Sequence, residues 1–502
     1  MKYLVNTAIA IYLAAIAIYM VNGPTTFVFG RIKVRFNDLF TLVFILCLVL
    51  VIRFLLTITW DRKAVFAAIA VAISTGFTMA ASELVLRALY PQEMSPPPYI
   101  YNTGAKYGEN GRGPYSAGPK KTGVKRIIIQ GDSITWGAAV EDWRELYPYK
   151  LEAALNRGGE KYDMQVWAVP GMQVDFHAKN LALMGEEMAP DIIIYQWYVN
   201  DVEVWADRPP AAKAPWRKGK AHTWLENVSL MYRLVDSRLG ALVYREGEQY
   251  ADYLSQKILP GKKYWWYFEM EFHKWATFAN SLASRTVLLL YPSLPFKGEY
   301  PFQKVTDSVI ALTKPHLMRI PAAYLFNREG KDEAGLGSTY ELARAARLGK
   351  TRNGHILFGP YIPFARGGHE AGFVMKLLSP APPEAKVARL EVATGKGGRV
   401  LASHLALAQE LGKPGQWVKV TVPFQVEETM IPDVEFRVDY LGECDMAVDT
   451  IDVPVDYRIE VVYPMEELKK FNTHARLFDA HPSPRAHSVL AEALARRLSQ
   501  AP

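Results

Sequence analysis

At 502 residues, the chain is too long for a single hydrophobic core, so two or three domains are expected. Its formal charge of +7 is spread along the sequence and not gathered into a basic stripe, which excludes a nucleic-acid partner. With only two cysteines, Cys47 and Cys444, a disulfide framework is excluded, and no CxxC or HExxH spacing points to a metal; neither metal nor cofactor is expected.

Three apolar runs open the chain, over residues 3–21, 39–56 and 65–86. Each is close to the roughly 20 residues that cross a bilayer as helix, so residues 1–90 read as three transmembrane helices. The first run is long and lacks a small-x-small exit, which argues against a cleaved signal peptide. Lys2, Arg62 and Lys63 then lie inside and Arg31, Lys33 and Arg35 outside. The expected orientation is amino terminus inside, with the large domain extracytoplasmic or periplasmic. Residues 91–123 are rich in Pro, Gly, Ser and Tyr and read as a linker.

The soluble part begins with IIIQGDSITWG at residues 127–137, a β-branched strand running into a tight turn and a helix start. Helical spacing follows at 146–155, a strand at 165–169 ended by Pro170-Gly171, a helix at 175–188 and a strand from Asp191 ending in Asn200-Asp201. TVLLLY at 286–291 is a further strand. Strands alternating with helices predict an α/β fold, a parallel sheet with helices on both faces. A long helical excursion, residues 202–284, carries basic residues among tryptophans. Such helices could rest on a lipid headgroup surface or cover an edge of the site, and the second reading is preferred.

Four blocks then agree. They are GDSITWG with Ser133, AVPGMQ with Gly171, YVND with Asn200, and DAHPSPRAH with Asp479 and His481. Over residues 125–291 and 457–497 the chain resembles the SGNH (GDSL-type) hydrolase family. The resemblance implies a flavodoxin-like three-layer α/β/α domain with Ser133 as nucleophile, His481 as base and Asp479 as the acid that orients it. It also implies an oxyanion hole made by the Ser133 and Gly171 N–H groups and the Asn200 amide. A serine hydroxyl needs such a base, and the charge that develops on the carbonyl oxygen needs donors already aimed at it. Asp132 and Asp201 read as structural, and His487, a rival base, as part of the last helix. Two positions depart from the pattern. Tyr198 replaces the glycine of Gly-x-Asn-Asp, and the Asp-to-His spacing is one residue short of the commoner Asp-x-x-His.

Between residues 354 and 453 the pattern changes to short alternating segments with Gly and Pro between them, as in an all-β sandwich. The phrase FGPYIPFARGGHEAGFVMKL resembles strands of jelly-roll carbohydrate-binding modules. Tyr361, Phe373 and Trp417 are either stacking faces for sugar rings or core aromatics. The strand at 458–463 and an amphipathic helix at 486–498 close the α/β domain. The expected domains are therefore residues 1–90, 91–123, 124–335, an inserted sandwich at 336–455, and 456–502. The chain reads as a membrane-anchored serine esterase or O-acyltransferase acting on an envelope polysaccharide, with envelope polysaccharide machinery as partner. The alternatives are a non-catalytic glycan-binding or assembly component of an export system, and a lipid esterase.

Overall fold

Apolar sequence near the start of the chain becomes one long helix, Arg62–Leu89, in the computed structural model. The structure describes residues 7, 9, 25–29, 32–36, 62–94, 119–159, 161–203, 220–244, 246–262, 264–294, 299–476 and 479–500. The chain divides into two units, the first made of Met1–Pro96, Pro209–Tyr250 and Arg476–Asp479, the second of Pro97–Arg208, Ala251–Ala475 and Ala480–Pro502.

In the first unit, β1 (Thr25–Phe29) and β2 (Ile32–Phe36) form an antiparallel hairpin. β2 carries Lys33 and Arg35, expected on the outer side between two spans; Arg31 lies outside the described residues. Within the Arg62–Leu89 helix, Ile69–Leu89 is long and apolar enough to cross a membrane, and Phe66, Ile73 and Phe77 are exposed. This is the third expected span. The first, apart from Thr7 and Ile9, and the second lie outside the described residues. So does most of the expected linker, of which Pro91–Met94 forms a 3-10 turn. The helices Lys220–Val228 and Leu230–Tyr244 belong to the same unit.

The second unit begins with β3 (Lys125–Gly131), β4 (Tyr162–Ala168), β5 (Ile192–Trp197) and β6 (Arg285–Leu290). Next come β7 (His316–Pro321), β8 (Lys331–Ala334), β9 (Leu342–Ala346) and β10 (Gly354–Leu377). They are followed by β11 (Lys386–Thr394), β12 (Arg399–Leu407), β13 (Val418–Tyr440), β14 (Met446–Val455) and β15 (Ile459–Val462).

Five of these strands make the expected parallel sheet, in the order β15-β6-β5-β3-β4. Ile127, Ile128 and Ile129 are completely buried, because a parallel strand covered on both faces has no side for polar residues. Strand order reverses at β3, with β4 on one side and β5 on the other; the carboxyl ends of strands at such a point are where open α/β sheets bind ligands. The helices Tyr147–Asn156 and Pro484–Leu498 pack on each other, as do Val174–Met188 and Trp265–Leu282.

The remaining strands, β7 to β14, form the antiparallel sandwich, in the order β12-β11-β13-β10-β14-β9-β8 with β7 on β14. β10 and β13 pair from Gly354↔Tyr440 to Met375↔Val418. Four register shifts along this ladder let it bend, as β-bulges do. The core is built from Phe364, Phe373, Phe436, Val438 and Ile451. Phe373 is completely buried and is therefore a core aromatic, not a stacking face. Trp417 lies under the Lys376 ammonium, 4.1 Å from the ring centroid.

The tryptophan-rich helix Trp265–Leu282 is buried protein core and does not face lipid. Its Trp275 Nε1 donates to Gln130 Oε1 on β3 at 2.8 Å. Two residues earlier, His273 Nε2 lies 2.9 Å from the Pro363 carbonyl of β10, and His273 Nδ1 lies 2.7 Å from the Tyr457 hydroxyl. A carbonyl can only accept, so Nε2 carries the proton and Nδ1 accepts from the tyrosine. One neutral histidine thus ties the parallel sheet's helix to the sandwich.

Candidate functional site

The turn after β3 is shaped by packing against Gly131. A Cβ there would stand 2.1 Å from Thr135 Oγ1 and 2.8 Å from Gln196 Oε1. Thr135 Oγ1 is already engaged, donating to Gln196 Oε1 at 2.9 Å and meeting the Tyr147 hydroxyl at 2.8 Å. Gly131→Ala should therefore cost about 1–3 kcal/mol, the usual penalty of overpacking, and displace Thr135. A lowered urea midpoint with an unchanged slope would check it.

Asp132 caps the short helix Ser133–Trp136, accepting from Ile134 N at 2.9 Å. This is the structural role expected for it. Ser133, the next residue, is partly exposed at the carboxyl end of β3. Beyond β4, residues Val169 to Met172 form a turn closed by Met172 N to Val169 O at 3.1 Å, with Gly171 at φ 77°. Pro at the second position and a positive φ at the third identify a type II turn, which explains both residues. Beyond β5, Asn200 sits in the 3-10 turn Val199–Val202. Gln173, after the first turn, donates to the Asn200 carbonyl at 3.1 Å. Since β4, β3 and β5 are neighbours, Gly171, Ser133 and Asn200 stand at the same end of three adjacent strands.

Asp201 accepts from Tyr198 N at 2.9 Å, and burial holds its carboxyl well above the usual range, with the Asp132 charge adding to the effect. Burial also raises Asp132, while the Ile134 N–H, the charge of His481 and the Asn200 amide pull it back. Asn200 Oδ1 is buried with no hydrogen-bond partner among the described residues. Asp479 and His481 both lie on the strand Asp479–Pro482, two residues apart and so on one side of it. The next residue, Ser483, donates its N–H to Thr473 O at 2.7 Å.

The side chain of Tyr198, the departure from Gly-x-Asn-Asp, reaches the segment after β6, where its hydroxyl donates to Ser293 Oγ at 3.1 Å. Sequence reading marked the substitution but had no signal for its direction. His487 is fully buried on the last helix; its Nδ1 accepts from Tyr147 N at 3.2 Å, and its ring stacks on Tyr147. Among the described residues, no group of three or more His, Cys, Asp or Glu could hold a metal ion.

His177, on the helix after the Gly171 turn, gives a pH test. It is fully buried with neither ring nitrogen hydrogen-bonded among the described residues, and burial pulls it down to about 3. The unfolded chain takes up that proton near about 6.5, so below that pH the unfolded form binds more protons and stability falls until about 3. The stability of the wild type relative to His177→Leu should fall by about 2 kcal/mol between pH 7 and pH 5. Urea midpoints at the two pH values measure this.

No family model and no curated protein matches the sequence. Among solved structures, the chain is similar to the C-terminal CBM6 of LamC, a marine laminarinase from Zobellia galactanivorans. The identity is 15% over 28% of this chain and 100% of that one, with a TM-score of 0.22. It is also similar to a beta-1,3-glucan binding CBM6 from Bacillus halodurans, 18% identical over 28% of this chain and 94% of that one, TM-score 0.21. A third similarity is to TesA, 14% identical over 38% of this chain and 73% of that one, TM-score 0.23.

Proposed function

We propose that this chain is a membrane-anchored serine esterase or O-acyltransferase of SGNH type, acting on O-acyl groups, chiefly O-acetyl, of an extracellular or cell-envelope polysaccharide. One observation carries the proposal: the Gly171 turn, Ser133 and Asn200 stand at one end of three adjacent parallel strands.

In this reading Ser133 Oγ attacks the ester carbonyl and passes its proton to His481. Asp479 holds the imidazole in the productive tautomer and stabilises it while charged. The Ser133 and Gly171 N–H groups and the Asn200 amide receive the oxyanion. The Asn200 NH2 has two donors, so one can turn toward Asp132 and leave the other for the oxyanion. Collapse of the tetrahedral intermediate expels the alcohol, reprotonated by His481, and leaves Ser133 acylated. Water then completes an esterase cycle, or a sugar hydroxyl a transferase cycle. The choice depends on how well water is kept from the acyl-enzyme. The Arg62–Leu89 helix would hold the catalytic domain on the outer side of the membrane.

Mass spectrometry of acetylated and deacetylated envelope glycans, incubated with the purified protein with and without an acetyl donor, tests the proposal. Loss of acetyl groups means esterase, and gain means transferase. No change on any glycan, with turnover of long-chain lipid esters instead, would overturn the polysaccharide assignment.

A further inference from the structure

Residues 64–82 of the Arg62–Leu89 helix contain no Asp, Glu, Lys or Arg, and Glu83 ends that stretch. At about 1.5 Å per residue the stretch is ~28 Å long, close to the thickness of a hydrocarbon core, which puts Glu83 at headgroup level. Taking Ile69–Leu89 as the span leaves Glu83 only ~9 Å below its end.

At that depth a carboxylate needs partners, and these come from one place in the chain. Glu83 accepts from Leu230 N at 3.0 Å, Met231 N at 2.9 Å and the Ser229 hydroxyl at 3.0 Å, and it pairs with Arg87 at 2.8 Å. Leu230 and Met231 open the helix Leu230–Tyr244, so their N–H groups have no partner inside it, and the helix end is electropositive. Arg87 also donates to Val228 O at 2.6 Å. One turn further on, Arg233 donates to Glu93 O at 3.0 Å. His222 Nδ1 and the Tyr232 hydroxyl, 2.8 Å apart, join the preceding helix, Lys220–Val228, to the same body. The height of both helices is therefore set by the membrane helix.

We propose that Lys220–Val228 and the first turns of Leu230–Tyr244 lie on the bilayer at headgroup level, with Trp224, Val228 and Val235 in contact with lipid. Trp224 is 63% exposed, Val235 48% and Val228 37%. Trp224 and Val228, four residues apart, share a face, whereas Glu226 is exposed half a turn away. An indole, apolar with one N–H, suits that layer. Depth selects the bilayer over a second copy of the chain, because Glu83 holds this face beside the end of the span. The inference rests on the membrane reading of Arg62–Leu89.

The test uses the full chain with Cys47→Ala and Cys444→Ala, in vesicles of phosphatidylcholine and phosphatidylglycerol. A nitroxide is placed on Trp224→Cys, Val228→Cys or Glu226→Cys in turn. Labels at 224 and 228 should be several-fold more accessible to oxygen than to a water-soluble nickel complex, and the label at 226 the reverse. Adding Glu83→Ala should move the label at 224 into water while the protein still resists alkaline extraction. Equal water access at 224 and 226 in protein that resists extraction would overturn the placement. So would spin–spin broadening at 224, which means a second copy covers the face. An unchanged label in Glu83→Ala would overturn the role of Glu83. Extraction of the wild type by alkali would overturn the membrane reading and this inference with it.

Discussion

Ser133→Ala is expected to lower kcat on p-nitrophenyl acetate by about 10³-fold or more, with KM nearly unchanged. The hydroxyl would be the only atom that bonds to the substrate, and a methyl cannot replace it. Ser133 is partly exposed and heads its short helix, whose cap comes from Asp132, so the variant should keep its stability. His481→Ala should fall to a similar level, because nucleophile and base act as a unit and their losses do not add. Asn200→Ala should lose about 10²–10³-fold in kcat, the usual cost of one oxyanion donor. Steady-state kinetics on all three variants, with urea midpoints to confirm folding, decides the matter. Wild-type turnover in Ser133→Ala would remove the acyl-enzyme and leave an anchored glycan-binding or assembly component.

The second large effect is on stability. Arg344, on β9, is 1% exposed. Its guanidinium donates to Asp332 at 2.5 Å and to the carbonyls of Ile356 at 2.8 Å, Ala323 at 3.0 Å and Leu325 at 3.2 Å. These acceptors belong to three separate stretches of the sandwich domain. Arg344→Ala would leave the carbonyls buried and unpaired and strip Asp332 of its ion pair. A loss of about 3–5 kcal/mol is expected. Arg344→Lys should recover only part of it, because an ammonium is a point charge and cannot span the same fork of acceptors. Urea unfolding of both variants measures the loss; a change below about 1 kcal/mol would show that water serves these carbonyls instead.

Features legible in the sequence are those set by neighbouring residues. Isoleucines at 127–129 mark a strand buried on both faces, and β3 is such a strand. Pro170-Gly171 marks a turn needing a fixed φ and then a positive one, and Gly171 adopts φ 77°. Alternating short segments mark the sandwich, and an uncharged run marks the Arg62–Leu89 helix.

Partners distant in sequence were not legible. β15 joins β6 across the whole inserted sandwich, and β7 pairs with β14 and not with the parallel sheet. The Trp265–Leu282 helix has an apolar face that would suit lipid as well as protein; only packing against the sandwich and Gln130 makes it core. Neither the reach of Tyr198 to Ser293 nor the Glu83 cap, 146 residues from Ser229, leaves a mark on local pattern. Composition and periodicity determined which segments form strand, helix or span, since those preferences come from each residue's own backbone and its immediate neighbours. Tertiary structure decided which buried face meets which, and which charge answers which, because desolvation and pairing energies depend on distances that a linear chain does not contain.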